Sequence, residues 1–385
     1  MARTDTSYSL DNQKRFSLKD HLFNKDTVSL LASGLSRVLD NFDEHTFTTK
    51  AVRAFEGKEL KERIGVLVDY LAKVLSDDFE IACRQILIAL PEPLDPAKSD
   101  NDFGSFIYES YNSYIAKHGC NDRYFDIAMQ MFYETTKRFS AEFAIRYFIR
   151  FDEDRAFAYL REWTESDNYH VRRLVSEGSR PRLPWGGTIN TDHSKIIRLL
   201  DRLYYDETRY VVRSVANNLN DISKIDPLLI LTTLKRWKKA KKHQVKEFAY
   251  LERHALRTLI KSDHEPTLEY LGYRKDVSCS IRDFTHHDEV LLGQYQELSF
   301  SLTADDPGRY LIDYKIYFKK ADGTHKPKVF KIKDISLEAG EQVRIRKRYP
   351  MRPMSTRALY LGEHYIAVQI NGKEYCRKPF ILKKG

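Results

Sequence analysis

Three observations predict an α-helical repeat solenoid followed by a small all-β sandwich. First, from about residue 25 to residue 272 amphipathic stretches of helical period follow one another, parted by short polar or Pro-containing breaks, with almost no strand-like alternation. Second, Val171, Arg173 and Val175 align with Val211, Arg213 and Val215, and again with Leu251, Arg253 and Ala255, as one apolar-x-Arg-x-apolar helix recurring every forty residues. That spacing is the period of HEAT-like helix pairs: a single pair cannot bury its apolar face, so neighbours stack into a curved solenoid with a long concave surface. Third, after about Asp276 strand-like runs appear at Glu297 to Thr303, Leu311 to Lys319 and Tyr365 to Ile370, with turn signals at Asp322-Gly323 and Asn371-Gly372. About 110 residues with six or seven short strands fit an immunoglobulin-like sandwich, a small barrel being the alternative. The expected organisation is a polar, poorly periodic arm over 1–24, a HEAT-like helical domain over 25–275 and a β domain over 276–385.

Within the helical part, Val171, Leu174, Val175 and Gly178 follow a core stripe, which predicts that Arg173, Ser176, Glu177 and Arg180 share the outward side of the same helix. Pro181 and Pro184 then end the helix and fix the presentation of Trp185, which its neighbours Gly186 and Gly187 predict to be exposed. Trp163, inside a helix, is expected in the core, while Trp237, within a lysine run, is open to a ligand-facing place or to packing its helix onto the next repeat.

Composition narrows the function classes. With 42% hydrophobic residues in 385 the chain supports real cores rather than disorder. Its apolar runs are broken by charges before bilayer length and its first thirty residues carry no signal-peptide pattern, so a cytoplasmic protein is expected. Cys83, Cys120, Cys279 and Cys376 are too scattered for a zinc ligand set or a disulfide framework and are expected as reduced, packed thiols. His286, His287 and Asp288 are the one local cluster of potential metal ligands; adjacent histidines point apart, so the segment is taken as a loop and no metal is expected. No His-Glu-x-x-His, phosphate-cradling glycine loop or Gly-x-Ser-x-Gly elbow occurs.

The net charge of +9 is clustered. Lys235, Arg236, Lys238, Lys239, Lys241, Lys242 and Lys246 surround Trp237 without an acid, and Arg344, Arg346, Lys347, Arg348 and Arg352 lie within nine positions. Phosphate backbones favour such patches through charge attraction and counterion release; solvated surface is the plainer reading of either run alone. Three acids sit among arginines at near-repeat intervals: Glu142 four residues before Arg146, Glu177 four after Arg173, and Asp221 eight after Arg213, the acids 35 and 44 residues apart. Each acid is expected to share a helix face with its arginine, either as an ordinary surface ion pair or as part of a set converging on the concave surface. A ring exposed beside carboxylates, as Trp185 is beside Glu177, suits a flat cationic ligand.

His-Val-Arg-Arg-Leu-Val-Ser-Glu-Gly-Ser-Arg-Pro-Arg-Leu-Pro-Trp-Gly at 170 to 186 resembles the AlkC-type DNA alkylation repair proteins, the HEAT-like-repeat alkylpurine DNA glycosylases. Ala-Glu-Phe-Ala-Ile-Arg at 141 to 146 and Arg-Ser-Val-Ala-Asn-Asn-Leu-Asn-Asp-Ile-Ser-Lys at 213 to 224 support the likeness, which covers about 250 residues of helical repeats. One branch of that family also carries a C-terminal immunoglobulin-like domain. A monomeric enzyme without metal or cofactor is expected. By the resemblance it would excise cationic N-alkylated bases, 3-methyladenine and also 3-methylcytosine, from double-stranded DNA by hydrolysing the glycosidic bond, the lesion being held without full base flipping. The resemblance implies catalytic roles for Glu142, Glu177 and Asp221, with Asp221 or Glu177 orienting water and offsetting sugar charge, and a place for Trp185 against the lesion or sugar. Arg173, Arg180 and Arg182 with the 235 to 246 run would hold phosphates, and the 344 to 352 run would meet the duplex from the β domain. The competing reading is a non-catalytic repeat scaffold for nucleic acid or an acidic protein, in which the carboxylates merely balance arginines.

Overall fold

The computed structural model describes residues 7–8, 17–98, 100, 102–353 and 358–385. They fall into two compact units, one of residues 17–258 and one of residues 259–385 together with residues 7–8. Of the arm expected over 1–24, most lies outside the described residues; Ser7–Tyr8 is a short strand, β1, and Leu18–Leu22 already forms a helix, α1, capped by Ser17.

The helical unit continues with α2 (Lys25–Ser36), α3 (Glu44–Ala54), α4 (Leu60–Val74) and α5 (Phe79–Ala89), then a 3-10 turn, Phe106–Tyr108, leading into α6 (Glu109–Gly119) and α7 (Phe125–Thr135). There follow α8 (Ile145–Phe151), α9 (Glu153–Trp163), α10 (Tyr169–Gly178), α11 (His193–Leu203), α12 (Arg209–Ser223), α13 (Pro227–Ala240) and α14 (Val245–Ala255). Short polar residues start these helices: Asp78, Asp152, Asn168, Asp192 and Asp226 each accept a hydrogen bond from a main-chain N–H of the first turn. Each satisfies a donor that the helix leaves unpaired. The forty-residue alignment falls on α10, α12 and α14, which pack in succession, with α11 and α13 between them in sequence. Val171, Val175, Val211, Val215, Leu251 and Ala255 are all fully buried, so the aligned positions are the seam between successive repeats. Trp163 and Trp237 are core; Trp237 stacks on Tyr204 at 4.3 Å and its indole N–H donates to Asp201 at 2.6 Å.

The second unit begins with α15 (Arg257–Lys261), within which the division falls, and α16 (Glu265–Tyr270). These helices group with the β residues because Leu268 and Tyr273 pack on Leu311, while Asp263 accepts from Gln369 and pairs with Lys315. The strands are β2 (Cys279–His286), β3 (Glu289–Leu291), β4 (Tyr295–Ala304), β5 (Gly308–Lys319), β6 (His325–Leu337), β7 (Gln342–Pro350), β8 (Leu359–Tyr360), β9 (Gly362–Ile370) and β10 (Lys373–Lys383). They form a five-stranded sheet ordered β3-β10-β9-β5-β6, a three-stranded sheet ordered β2-β4-β7, and a small β1-β8 pair. Phe300, Leu302 and Ile345 from the three-stranded sheet meet Ile312, Ile316, Ile366 and Val368 from the five-stranded one in a single core. This is a sandwich rather than a closed barrel. Both expected hairpin turns occur, Asp322-Gly323 between β5 and β6 and Asn371-Gly372 between β9 and β10. Asn371 and Gly372 have φ of 46° and 83°, the left-handed pair that a two-residue hairpin requires. His286 ends strand β2 rather than lying in a loop, its ring 3.5 Å from Asp288.

Candidate active site

The segment after α10 is shaped by one buried arginine. Arg146, on α8, is fully buried and spends its guanidinium on main-chain carbonyls: Gly178 at 2.9 Å, Arg180 at 2.7 Å, Pro181 at 3.3 Å and Gly187 at 2.7 Å. It thereby satisfies acceptors left open at a helix C-terminus and holds the 178–187 loop in place. The expected Glu142–Arg146 pair does not form, because Glu142 lies in the turn before α8 and Arg146 points into the core. Gly178 permits the contact between helices, since a Cβ there would lie 2.7 Å from a methyl of Ile145. At the far end of the loop Trp185 has φ of 64° and is 54% exposed, as its Pro and Gly neighbours predict.

Inside this frame the charged groups form one alternating chain. Arg173 donates to Glu142 at 2.6 Å and to Ser140 at 3.0 Å, and its guanidinium lies 3.8 Å from Glu177. Glu177 accepts from Arg180 and, at 2.6 Å, from the Ser214 hydroxyl. Arg180 also donates to Asp221 at 2.8 Å, and Lys224 donates to the other oxygen of Asp221 at 3.0 Å. Glu177, Arg180 and Ser176 are buried, not outward: successive repeats pack over the side of α10 that looks polar in sequence, and Ser214 and Asp221 of α12 meet it there. Asp221 pairs with Arg180 and Lys224 instead of Arg213, which is paired with Asp100 at 2.6 Å. Burial pushes the Glu177 carboxyl up, but Arg173, Arg180 and the Ser214 hydrogen bond outweigh it and hold the group below the ordinary glutamate range, ionised at neutral pH. Burial likewise opposes charge on Arg173, and Glu142 and Glu177 overcome it, raising its pKa.

A cavity of about 350 Å³ opens over this chain, with Glu142, Glu177, Arg173 and Arg180 along its polar side. Phe103, Phe106, Phe139, Phe143, Tyr210 and Trp185 make up most of the rest of its wall. Arg173 also stacks over Tyr210 at 4.7 Å. The structure therefore brings Glu142, Glu177 and Trp185 to one cavity; Asp221 is one arginine removed, 5% exposed and not part of the lining. The phenylalanines and Tyr210 carry no motif of their own, because a cavity wall assembled from four separate segments has no sequence period. Ser214 had a signal, its place directly after Arg213 in the 213 to 224 string.

The sequence-predicted cations divide. Arg173 and Arg180 are held by carboxylates and have 13% and 9% of their side chains exposed, too little for either to be a simple phosphate contact. Arg182 is exposed on the loop. Lys235, Lys239, Lys241 and Lys242 are exposed on and just beyond α13, while Arg236 pairs with Asp201 and Lys238 with Glu252; none of them lines the cavity. In the other unit Arg344, Arg346 and Arg348 alternate onto one exposed face of β7, opposite Ser301, Ser299 and Glu297 of β4. Lys347 is exposed but alternates to the other face with Ile345 and Tyr349. Among the described residues no group of three or more His, Cys, Asp or Glu is arranged to hold a metal ion, and no helix is long and apolar enough to cross a membrane.

Comparison with known proteins completes this picture. The family model described as the C-terminal Ig-like domain of the uncharacterised protein YhaZ matches residues 280–384. The uncharacterized protein YhaZ of Bacillus subtilis (strain 168) is 31% identical over 357 residues, which is 91% of this chain and 96% of that protein. The Pseudomonas fluorescens alkylpurine DNA glycosylase AlkC, solved bound to DNA containing an abasic site analog, aligns with a TM-score of 0.86 at 32% identity, covering 95% of this chain and 99% of that one.

Proposed function

The chain belongs to the family of AlkC and YhaZ, and on that premise we propose that it is a DNA glycosylase of base excision repair. It removes cationic N-alkylated bases, 3-methyladenine and 3-methylcytosine, from duplex DNA. The observation that carries this reading is an ionised, buried Glu177 beside an exposed Trp185 at the mouth of a small aromatic cavity. Alkylation at a ring nitrogen makes the base a cation and a competent leaving group, so the protein need not supply a general acid. What it must supply is negative charge fixed next to an oxocarbenium-like sugar, and orientation for water. Glu177 and Glu142 face the cavity and fit these tasks; Asp221 acts through Arg180, holding it against Glu177. Trp185 offers a ring to the cationic lesion.

The lesion is presented without being turned fully out of the stack, which accords with aromatic side chains left half-exposed at the mouth. Phosphates are gripped by Arg182, by the exposed lysines of the 235 to 242 run, and by Arg344, Arg346, Arg348 and Lys347 of the β domain, which extends over 276–385. The binding-only reading has one observation in its favour: the carboxylates do balance arginines, each acid of the chain being paired. Turnover separates the two. Intact protein is expected to release free 3-methyladenine and 3-methylcytosine from alkylated duplex without added metal or cofactor, and Glu177→Gln to abolish that release. Lesion-selective binding with no release by the intact protein would make this a damage-recognition module instead.

A further inference from the structure

Between α5 and the 3-10 turn, residues 90–98, 100 and 102–105 carry Phe103 to the cavity. They are tied down at several points. Arg138 donates to the Pro91 carbonyl at 2.9 Å, the Leu94 N–H donates to the Lys137 carbonyl at 2.9 Å, and Asp100 pairs with Arg213 of α12 at 2.6 Å. Gly104, with φ of 68°, passes so close to the Arg138 carbonyl that a Cβ would lie 1.8 Å from its oxygen. This route admits only glycine. A backbone so constrained holds the preceding side chain in a defined place, and the Phe103 ring there stands edge-on to Tyr210, 5.5 Å between centroids, while 54% of the residue stays in solvent.

Phe139 and Tyr210 of the same wall are buried, as is Glu177 in the depth, whereas Phe103 stands at the lip. Trp185, Phe106 and Phe143 are also shared with a neighbouring groove of about 760 Å³, but Phe103 and Tyr210 are not. Of the two half-exposed rings, Trp185 thus borders both openings and Phe103 the acid cavity alone. A lesion presented to Glu177 without leaving the stack brings its neighbouring base to this mouth, where Phe103 stands exposed.

We propose that Phe103 is a substrate-contacting residue that stacks on the base adjacent to the lesion and so holds the alkylated nucleotide over Glu177. Apolar and aromatic side chains take this role at distorted steps because every base offers a π-face, whatever its sequence. The proposal rests on the glycosylase reading for its substrate.

The test pairs a binding readout with a turnover readout in the full-length protein. A duplex containing a tetrahydrofuran abasic-site analogue carries 2-aminopurine on one side of it or the other, and fluorescence is followed on binding. Intact protein changes the signal on one side; Phe103→Ala removes that change, and Phe103→Trp keeps it. Phe103→Ala also lowers kcat/KM for 3-methyladenine release by about ten- to hundredfold, with the thermal midpoint unaltered because the side chain is largely exposed. A fluorescence response that survives Phe103→Ala, or unchanged kcat/KM, overturns the proposal. If intact protein releases no base, the glycosylase reading fails, and the fluorescence arm still decides whether Phe103 meets the neighbouring base.

Discussion

The same residue types do opposite physical work in two regions of this molecule. On α10 and the loop that follows it, Arg173 and Arg180 are largely withdrawn from water and each is fixed by two carboxylates. On β7, Arg344, Arg346 and Arg348 project into solvent from alternate positions of one strand, and of the three Arg348 is held by an acid, Glu297, at 2.7 Å. Buried charges have no freedom to follow a ligand, and their desolvation is offset only while every partner is present. Their effect is to hold Glu177 ionised in one place. Exposed charges are mobile and screened, so they set affinity and salt dependence rather than chemistry. One kind of region positions, the other grips.

The comparison is broken most directly at Glu177. Glu177→Gln keeps the shape and removes the charge, and should lower base release by about 10² to 10³ or more, while binding to undamaged duplex changes little; equal loss of both would remove Glu177 from the chemistry. Next comes Arg146, whose loss leaves main-chain carbonyls unpaired inside the protein. Arg146→Leu should cost roughly 3 kcal/mol or more of stability, seen as a lower urea midpoint, and an unchanged midpoint would mean that the 178–187 loop is held by other contacts. Asp221→Asn should lower excision by about ten- to hundredfold with duplex binding largely intact, a smaller effect than at Glu177 because it acts through Arg180.

On the gripping side, Arg346→Ala should leave excision at saturating DNA unaltered and reduce the slope of log affinity against log salt by about one. A fall in saturated turnover would mean that this arginine does more than neutralise phosphate. An effect on stability alone, outside both regions, concerns Glu109, whose carboxyl burial pushes up from 4.5 to about 8. Between those values the native state keeps a proton that the unfolded chain has lost, so this group's contribution to stability falls as pH rises through the window. Glu109→Gln should raise the thermal midpoint relative to the parent near pH 8 and not near pH 4.5; a pH-independent difference would show that Glu109 is ionised in the fold.

Much of the architecture was legible because it is periodic. Val171, Val211 and Leu251 mark one seam at forty-residue spacing, and Asn371-Gly372 marks its hairpin, since both signals depend on neighbours in the chain. Trp185 could be placed outside from its flanking Pro184, Gly186 and Gly187 for the same reason. The site was legible only in part. Glu142, Glu177 and Asp221 stand out as acids near arginines, yet a shared helix face paired two of the three wrongly: Glu142 goes to Arg173 and Asp221 to Arg180. That expectation assumes an isolated helix whose polar side faces water.

By itself, then, the sequence determined a helical region followed by a strand region, the repeat seam, the hairpin turns and the string of residues that marks the family, because each is written in short-range pattern. Only the tertiary structure decided that the polar side of α10 is an interior, that Arg146 serves a loop rather than an acid, and that Phe103 reaches the mouth of the acid cavity. Those outcomes depend on which repeat packs against which, and once charges are buried their partners are selected by distance across the packed faces, not by separation along the chain.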